Sequence, residues 1–350
     1  MNFLIHLLSD RKDHRNGIHK PRILFNIAPG QKTCADYKDC STCATTSDCT
    51  GGQCTWCAST NSCVPFLLNL CPLNSRINVA YNCPKPVPYG IDDDYDDGFA
   101  RRNLTNLLCA SNEGRNDTVQ EVLNKVYPGI VVPDYYSVDC LGDNSINILG
   151  FGKNSSVNPV TAVAFLGNPF SLPVLVDSPA ESGRVYSTFN DAFSKLWQSG
   201  LATDYSTLLS AVPGYETVIL GYSVGGGVAS IAADVISKRF LSASGNLKLF
   251  TFSCPRVGDL GYVMNHEQIV PSSFRVINQL DPLSLVPPRD FNFDPPMHYR
   301  YEVWYKSGTE SKDFTIFHMA EDPAGRVSNL LSNNNDGINY FGKNLLTCRL

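Results

Sequence analysis

The stretch that decides the fold is Gly221-Tyr222-Ser223-Val224-Gly225, between an apolar run (217–220) and a run of small residues (225–233). The apolar run predicts a buried strand, and the small-residue run predicts a helix. A serine at the apex of a sharp strand-to-helix turn is exposed above a sheet, and the two glycines leave the room that such a turn needs. The helix also directs its N-terminus at negative charge forming beside the serine. We therefore predict that Ser223 is a nucleophile; a structural glycine turn is the alternative.

The overall composition is that of a soluble globular protein. The chain has 350 residues, a net charge of −5 and 43% hydrophobic residues, which suffices for one large core and a small additional module. The sequence contains no Lys/Arg-rich stripe, so nucleic acid is not an expected partner. No apolar run reaches the ~20 residues that cross a bilayer, so no transmembrane segment is predicted.

Cysteines are concentrated in one short part of the chain. Of the 13 cysteines, eight are Cys34, Cys40, Cys43, Cys49, Cys54, Cys57, Cys63 and Cys71, and Cys83 follows. This density predicts a disulfide-rich module in an oxidising compartment. The pairs Cys40-x2-Cys43 and Cys54-x2-Cys57 could instead bind zinc, but the neighbouring cysteines favour disulfides, and we predict no metal. The glycosylation sequons at Asn103, Asn116 and Asn154 indicate the same compartment.

The remaining cysteines leave their pairing open. We interpret Cys254 as a free, buried thiol. The other four could form two bridges, for instance Cys109–Cys140 with Cys83–Cys348, although connectivity does not follow from sequence.

Composition changes along the chain suggest four parts. We predict a leader or disordered arm (1–33), the cysteine-rich module (34–83), a linker rich in Pro and Asp (84–94), and a large domain (95–350). The N-terminal apolar run is short and is broken by His6, so it is an atypical secretion signal. We nevertheless hypothesise that the protein is secreted. We interpret the acidic run 92–97 as solvated and ending in N-caps for the next helix, in preference to a calcium site.

Strand and helix patterns alternate in the large domain. Buried strands are predicted at 161–166, 217–220, 247–252 and 274–277. Helices are predicted at 98–108, from 118 to 126, at 185–197 and at 201–212. This alternation predicts a mostly parallel sheet with helices on both faces. Ligands bind such sheets at the carboxyl ends of the strands, where Ser223 lies.

Five ordered motifs carry a family resemblance. They are the elbow at 221–225, Gly-Arg-Val-Tyr-x-x-Phe at 183–189, Phe-Ser-Cys-Pro-Arg-Val-Gly-Asp at 252–259, Arg-Val-Ile-Asn-Gln-Leu-Asp-Pro at 275–282 followed by Val-Pro-Pro at 286–288, and His-x3-Glu-Val-Trp-Tyr at 298–305. With these motifs, residues 95–350 resemble the class 3 (fungal-type) lipases. The segment around Cys54-Thr-Trp-Cys57 resembles PSI modules, which precede some animal relatives of this family.

The resemblance implies an α/β-hydrolase fold, acylglycerol ester hydrolysis and a role in lipid metabolism, with no cofactor. Such enzymes use a triad in the chain order Ser, Asp, His. Ser223 is the expected nucleophile. Asp281, which follows an apolar strand and precedes a proline, is the expected triad acid. The backbone N–H groups of Val224 and Asn168 would form the oxyanion hole.

The triad histidine is missing from its expected position. The family places it in Asp-His-x-x-Tyr-Phe-Gly, and here 336–342 reads Asp-Gly-Ile-Asn-Tyr-Phe-Gly, so Gly337 leaves the slot vacant. Three of the six histidines lie in the leader. We expect His266 to be exposed. His298 matches a family position that is not the base, and His318 lies 19 residues before the slot. His318 and His298 are the candidate substitute bases.

Three functions are compatible with this sequence. The first is a secreted lipase with a substitute base. The second is a silent lipase-fold protein that binds a lipid or acyl ester. The third is an extracellular interaction protein that contacts a protein partner through the cysteine-rich module. We favour a lipase-family protein whose activity is impaired or absent, because glycine cannot accept a proton.

Overall fold

The computed structural model describes residues 32–48, 51–66, 71–113, 116–131, 134–139, 145–153, 160–167, 174–181, 183–240, 245–289 and 295–350. Nearly all of the predicted leader lies outside the described residues, and so do Cys49, Cys140, Asn154 and Asn168.

The strands of the described part are β1 (Cys54–Cys57), β2 (Ser62–Pro65), β3 (Arg76–Ile77), β4 (Ile130–Val131), β5 (Tyr135–Asp139), β6 (Ser145–Lys153), β7 (Val160–Gly167), β8 (Leu175–Asp177), β9 (Arg184–Tyr186), β10 (Glu216–Ser223), β11 (Leu247–Phe252), β12 (Ser272–Asn278), β13 (Glu302–Tyr305), β14 (Thr315–Phe317), β15 (Asn339–Tyr340) and β16 (Lys343–Asn344).

The α-helices of the described part are α1 (Cys40–Ala44), α2 (Asp97–Phe99), α3 (Thr105–Ala110), α4 (Asn116–Val126), α5 (Ser187–Leu196), α6 (Ala202–Ala211), α7 (Val224–Arg239), α8 (Leu260–Ile269) and α9 (Asn334–Ile338). A π-helical turn (Ala100–Leu104) joins α2 to α3, and another (Trp197–Leu201) joins α5 to α6.

The central sheet has the strand order β14-β13-β12-β11-β10-β7-β6-β4, with β5 also paired to β6. Strands β7, β10, β11, β12 and β13 run parallel, and their neighbours at both sides are antiparallel. Ser223 ends β10 opposite Gly167, the last residue of β7. The carboxyl ends of the parallel strands therefore form one edge of the sheet, which we call the crest.

Helices cover both faces of the sheet. Along β10, Val218 and Leu220 are buried in the cluster that contains α3 and α4, whereas Ile219 is buried with α5 and α7. Successive side chains of a strand point to opposite faces, so this split places a helical layer on each side. The predicted fold class, a mostly parallel sheet with helices on both faces, is confirmed.

Most predicted elements lie close to the observed ones, and β11 has the predicted bounds, 247–252. The helix predicted from 185 begins only at Ser187, because Val185 belongs to β9 and pairs with Val176 in β8. Val185 continues the helical spacing of apolar residues by coincidence, and sequence periodicity alone does not detect the strand pairing.

Disulfides hold the N-terminal part, in which β1 pairs with β2 and β3. Its bridges are Cys34–Cys54, Cys40–Cys83, Cys43–Cys63 and Cys57–Cys71. A further bridge, Cys109–Cys348, joins α3 to the C-terminal tail. The pairing offered from sequence, Cys109–Cys140 with Cys83–Cys348, is wrong, because the C-terminal tail packs beside α3. There the Asn112 side chain donates hydrogen bonds to the Leu345 and Cys348 carbonyls, and Cys348 reaches Cys109. Cys254 is a free, buried thiol, as predicted.

The cysteines proposed as the alternative zinc ligands are all bonded to sulfur. Within the described ranges, the one cluster of potential ligand atoms is Cys34, Cys54 and Cys63, whose sulfurs lie within 4.8 Å of one another. Each of these three takes part in a disulfide, so none offers a thiolate.

The end of the cysteine-rich module packs against the sheet domain. Tyr81 is buried, and its hydroxyl donates a hydrogen bond to Glu267 of α8.

The interpretation of 92–97 as a solvated run is only partly right. Asp96 caps α2 as expected, but Asp94 forms an ion pair with Lys248 at 3.1 Å. Among the described helices, none combines the length and the apolar character that crossing a membrane requires.

Candidate active site

Ser223 lies at the crest in a strained backbone conformation. Its φ is 56° and its ψ is −125°, a region that non-glycine residues rarely occupy, and α7 begins at the next residue. The turn brings α7 onto β10 so closely that a Cβ on Gly221 would lie 2.3 Å from the carbonyl oxygen of Gly225. These are the features predicted for the elbow. The Ser223 hydroxyl has no hydrogen-bond partner among the described residues.

The N-terminus of α7 carries Val224, one of the two predicted oxyanion donors. Val224 is the first residue of this 16-residue helix, so its N–H group has no acceptor within the helix. The helix dipole adds partial positive charge at the same place. The other predicted donor, Asn168, follows β7 but lies outside the described residues.

Asp281 lies in the loop after β12, at the same crest and two strands from the elbow. It is fully buried. Its Oδ1 accepts hydrogen bonds from the Ser253 hydroxyl (3.0 Å) and the Leu283 N–H (2.9 Å), and its Oδ2 accepts one from the Tyr340 hydroxyl (2.8 Å). Burial raises the pKa of Asp281 above its ordinary value, and these donors together with Arg326 oppose that shift.

Gly337 lies in α9 directly beside this carboxylate. A methyl group added to its Cα would lie 3.0 Å from Asp281 Oδ1, 3.4 Å from Pro282 Cδ and 3.4 Å from Ser253 Oγ. The Tyr222 hydroxyl, at the elbow, donates a hydrogen bond of 2.9 Å to the Gly337 carbonyl. The position aligned with the family histidine is thus adjacent to Asp281 and tied to the elbow, and it carries no side chain.

His298 is buried behind the Asp281 loop. Its Nε2 donates a hydrogen bond of 2.8 Å to the Ser284 carbonyl. Burial, together with the charges of Arg275 and Arg256, lowers the pKa of His298 well below its ordinary value, so the ring is neutral. In the described structure, this ring has no hydrogen bond to Ser223 or Asp281.

His318 lies toward the amino-terminal ends of the parallel strands, away from the crest. It follows Phe317, which pairs with Glu302 at the start of β13, and Glu302 pairs with Arg275 at the middle of β12. The remaining three residues of the strand up to Asn278 span about 10 Å, and Asp281 lies beyond them. The His318 ring instead contacts Asp92, at 2.7 Å between Nε2 and Oδ1.

His266, which we expected to be exposed, is completely buried. Its Nδ1 lies 2.5 Å from Asp234 Oδ1, and its Nε2 lies 2.9 Å from Ser273 Oγ. Asp234 follows Ser223 along α7 by about 16 Å, at 1.5 Å per residue. The expectation was wrong because a polar segment can bury a histidine that finds two polar partners, and this group is far from the elbow.

Three residues of the Asp281 environment were not predicted. Tyr340 and Ser253 bind the carboxylate, and the Arg326 guanidinium donates to the Asp281 carbonyl at 3.3 Å. Ser253 lies inside a motif that carries the resemblance, and Tyr340 lies in the segment aligned with the family histidine, which was a usable signal. Arg326 is an isolated basic residue in a polar segment, and nothing in the sequence distinguishes it.

A mostly parallel sheet, a strained serine between strand and helix, and a buried carboxylate two strands away define an α/β-hydrolase. Residues 154–291 match the family model described as Lipase (class 3). This match, together with the fold, supports a class 3 lipase-like α/β-hydrolase.

Individual relatives agree with this assignment. A lipase of Caenorhabditis elegans is 27% identical over 189 residues, covering 46% of this chain and 53% of that protein. A lipase of Rhizopus niveus is 24% identical over 202 residues, covering 56% and 48%. The chain spans about half the length of these curated relatives. The crystal structure of the lipase from Rhizopus microsporus var. chinensis matches with a TM-score of 0.60 at 19% identity, covering 75% of this chain and 91% of that one; this likeness concerns the fold.

Proposed function

We propose that this chain is a secreted lipase-fold protein that binds lipids or acyl esters at Ser223 and whose ester hydrolysis is impaired or absent. The observation that carries the proposal is Gly337 beside Asp281, where the resemblance requires the base of the triad.

Acyl transfer by serine requires a base that takes the hydroxyl proton and an acid that orients this base. Asp281 is instead bound by Ser253, Leu283 and Tyr340, and the described histidines have other partners. In subtilisin, loss of the triad histidine costs about 2 × 10⁶ in kcat. Applied to a median enzyme at ~10 s⁻¹, this factor leaves about one turnover in two days.

The parts that bind an ester do not require the histidine. The Ser223 hydroxyl and the Val224 N–H group still face the crest, and the helix N-terminus favours an ester carbonyl or a carboxylate there. The match of residues 154–291 to the class 3 lipases supports an acyl lipid as the ligand. The sequence analysis adds the Asn168 N–H as the second donor.

Two measurements on the disulfide-intact protein test the proposal. Hydrolysis of p-nitrophenyl butyrate and of a long-chain ester should be the same for the native chain and for Ser223→Ala. A soluble fluorescent fatty-acyl probe should bind the native chain. Turnover that disappears in Ser223→Ala would show an active hydrolase, and failure of the probe to bind would remove the binding half of the proposal.

Secretion is supported by the five disulfides of the described residues and by the sequons at Asn103, Asn116 and Asn154. Expression in a eukaryotic host should yield protein in the medium whose electrophoretic mobility increases after removal of N-glycans. Retention of an unglycosylated, reduced chain in the cytosol would contradict this part of the proposal.

A further inference from the structure

An aspartate and a histidine that the candidate active site does not use face each other in the core, between α7 and α8. Asp234 lies on α7 and His266 on α8, and both side chains are completely buried. The His266 Nδ1 atom lies 2.5 Å from Asp234 Oδ1, and Asp234 Oδ2 has no hydrogen-bond partner within the described residues. Because charge without partners is costly in a core, the protons on this pair bear directly on the stability of the fold.

The hydrogen bonds of the pair fix the number of its protons. The Ser273 hydroxyl donates its one hydrogen to the Val270 carbonyl at 2.7 Å, so it can only accept from His266. The ring Nε2 atom, 2.9 Å from this hydroxyl, therefore carries a proton. A second proton lies between Nδ1 and Asp234 Oδ1, because two bare acceptors at 2.5 Å would repel each other. The pair thus holds two protons, as an imidazolium with a carboxylate or as a neutral ring with a carboxylic acid.

The neutral ionisable groups nearby leave this count unchanged. The rings of Tyr299 and Tyr262 lie 4.3 and 5.8 Å from the His266 ring, measured between centroids. Burial raises the pKa of both phenols and of the nearby Cys254 thiol, so all three stay protonated and neutral around pH 7.

Lys238 brings a positive charge toward the pair from one turn further along α7. Its ammonium group donates a hydrogen bond to the Ala180 carbonyl. Burial raises the pKa of Asp234, and His266 and Lys238 oppose this shift without cancelling it. The carboxyl group therefore keeps or shares a proton above the pH at which an exposed aspartate loses it, which agrees with a count of two.

We propose that the Asp234–His266 pair is a pH-sensitive lock that holds α7 against α8 most firmly between about pH 4 and 6.5 and weakens above this range. In the unfolded chain, an aspartate loses its proton near pH 3.9 and an imidazolium near pH 6.5. Between these values the unfolded chain carries the same two protons as the folded pair, so the contribution of the pair to stability is constant. Above pH 6.5 the unfolded chain carries one proton fewer, so stability falls as the pH rises.

The lock acts on the helix that begins at the elbow, since α7 starts directly after Ser223. Its range of greatest stability suits a mildly acidic compartment. The inference does not depend on the proposed function, because its test measures unfolding and not ligand binding or hydrolysis.

The test compares urea unfolding of the disulfide-intact native chain and of Asp234→Asn between pH 5 and 9. An asparagine amide can donate to a bare Nδ1 while Nε2–H still donates to Ser273, so the folded variant holds a neutral ring with one proton. Its stability should rise up to about pH 6.5 and then stay level. The ratio of the unfolding equilibrium constants, native over variant, should therefore rise about tenfold per pH unit, which corresponds to one proton. Groups such as Asp281 titrate alike in both proteins and cancel from the ratio.

Asp92→Asn is the matched control, because Asp92 contacts His318 in a pair that solvent reaches. Water screens this pair, so the corresponding ratio should change far less with pH. If Asp234→Asn does not fold, NMR of the ¹⁵N-labelled native chain at pH 8 provides the test, and it should show two slowly exchanging protons at the His266 ring. A single ring proton at pH 8, a ratio independent of pH, or a control that changes as much as Asp234→Asn would each overturn the inference.

Discussion

Replacing Gly337 by histidine should create serine-dependent ester hydrolysis. The backbone of Gly337 is not in the left-handed region, so a side chain is allowed there. Its Cβ would approach Asp281 Oδ1 to 3.0 Å, which requires a shift of a few tenths of an ångström, and its other two contacts are ordinary at 3.4 Å. The new ring would begin next to the carboxylate that has to orient it.

The Asp281 carboxylate has an unused acceptor position for a hydrogen bond from this ring. An ionised carboxylate offers about four acceptor positions. Ser253 and Leu283 occupy Oδ1, and Tyr340 occupies one position on Oδ2. One position on Oδ2 remains for the imidazole Nδ1–H, so no existing hydrogen bond has to break.

The expected gain in kcat is the contribution of a triad histidine, reduced by the imperfect placement of the new ring. Loss of the histidine in subtilisin costs about 2 × 10⁶ in kcat. A misplacement of about 1 Å can cost 10², and the tight contact with Asp281 reduces the gain further. We expect kcat to rise by about 10²–10⁴, which corresponds to roughly 3–5 kcal/mol of barrier.

The assay is p-nitrophenyl butyrate hydrolysis as a function of pH. The rate of Gly337→His should rise as imidazole loses its proton near its ordinary pKa of about 6.5. Gly337→Gln is the matched control, since it fills the space without a titrating base. The double variant Gly337→His/Ser223→Ala should return to background. If a folded Gly337→His protein with native disulfides shows no serine-dependent rate, the assignment of the histidine slot is wrong.

Three further predictions concern stability. Because burial raises the pKa of folded Asp281, the folded state binds this proton more tightly than the unfolded state, so stability should fall as pH rises above about 4, the ordinary pKa of an aspartate. Asp281→Asn should remove this pH dependence, which is at most about 1.4 kcal/mol per pH unit in the free energy of unfolding measured with urea. Identical pH profiles of the native chain and the variant would contradict this prediction. Gly221→Ala should cost more than about 4 kcal/mol because its Cβ would lie 2.3 Å from the Gly225 carbonyl, and an unchanged melting temperature would refute this. The Cys109–Cys348 bridge spans 239 residues and restricts the unfolded chain, so removing it by two Cys→Ser changes should lower the free energy of unfolding by up to about 5 kcal/mol in denaturant. An unchanged free energy of unfolding would refute this mechanism.

The elbow could be predicted from sequence because its causes are local. An apolar run, two glycines and a small-residue run lie within 17 positions, 217–233. Strand length, turn shape and helix start each depend on neighbours in the chain. The strand β11 was predicted with its observed bounds for the same reason.

The parts that sequence did not reveal depend on contacts between distant residues. His266 finds Asp234 and Ser273, and Cys348 finds Cys109 across the whole large domain. Such pairs are set by how helices and strands pack, and a charge or cysteine pattern does not encode which partner is nearest.

The shape of the elbow is not by itself an argument for catalysis. The strained φ of Ser223 follows from how α7 packs onto β10, where Gly221 and Gly225 are in contact. Packing of this kind would hold the hydroxyl at the crest whether or not a base stands beside it. The carboxylate is equally uninformative, since Asp281 is held by Tyr340 and other donors that need no imidazole. Hydrolysis therefore depends on a base, which neither the elbow nor the buried carboxylate requires. For this reason a single substitution at Gly337 is the decisive experiment.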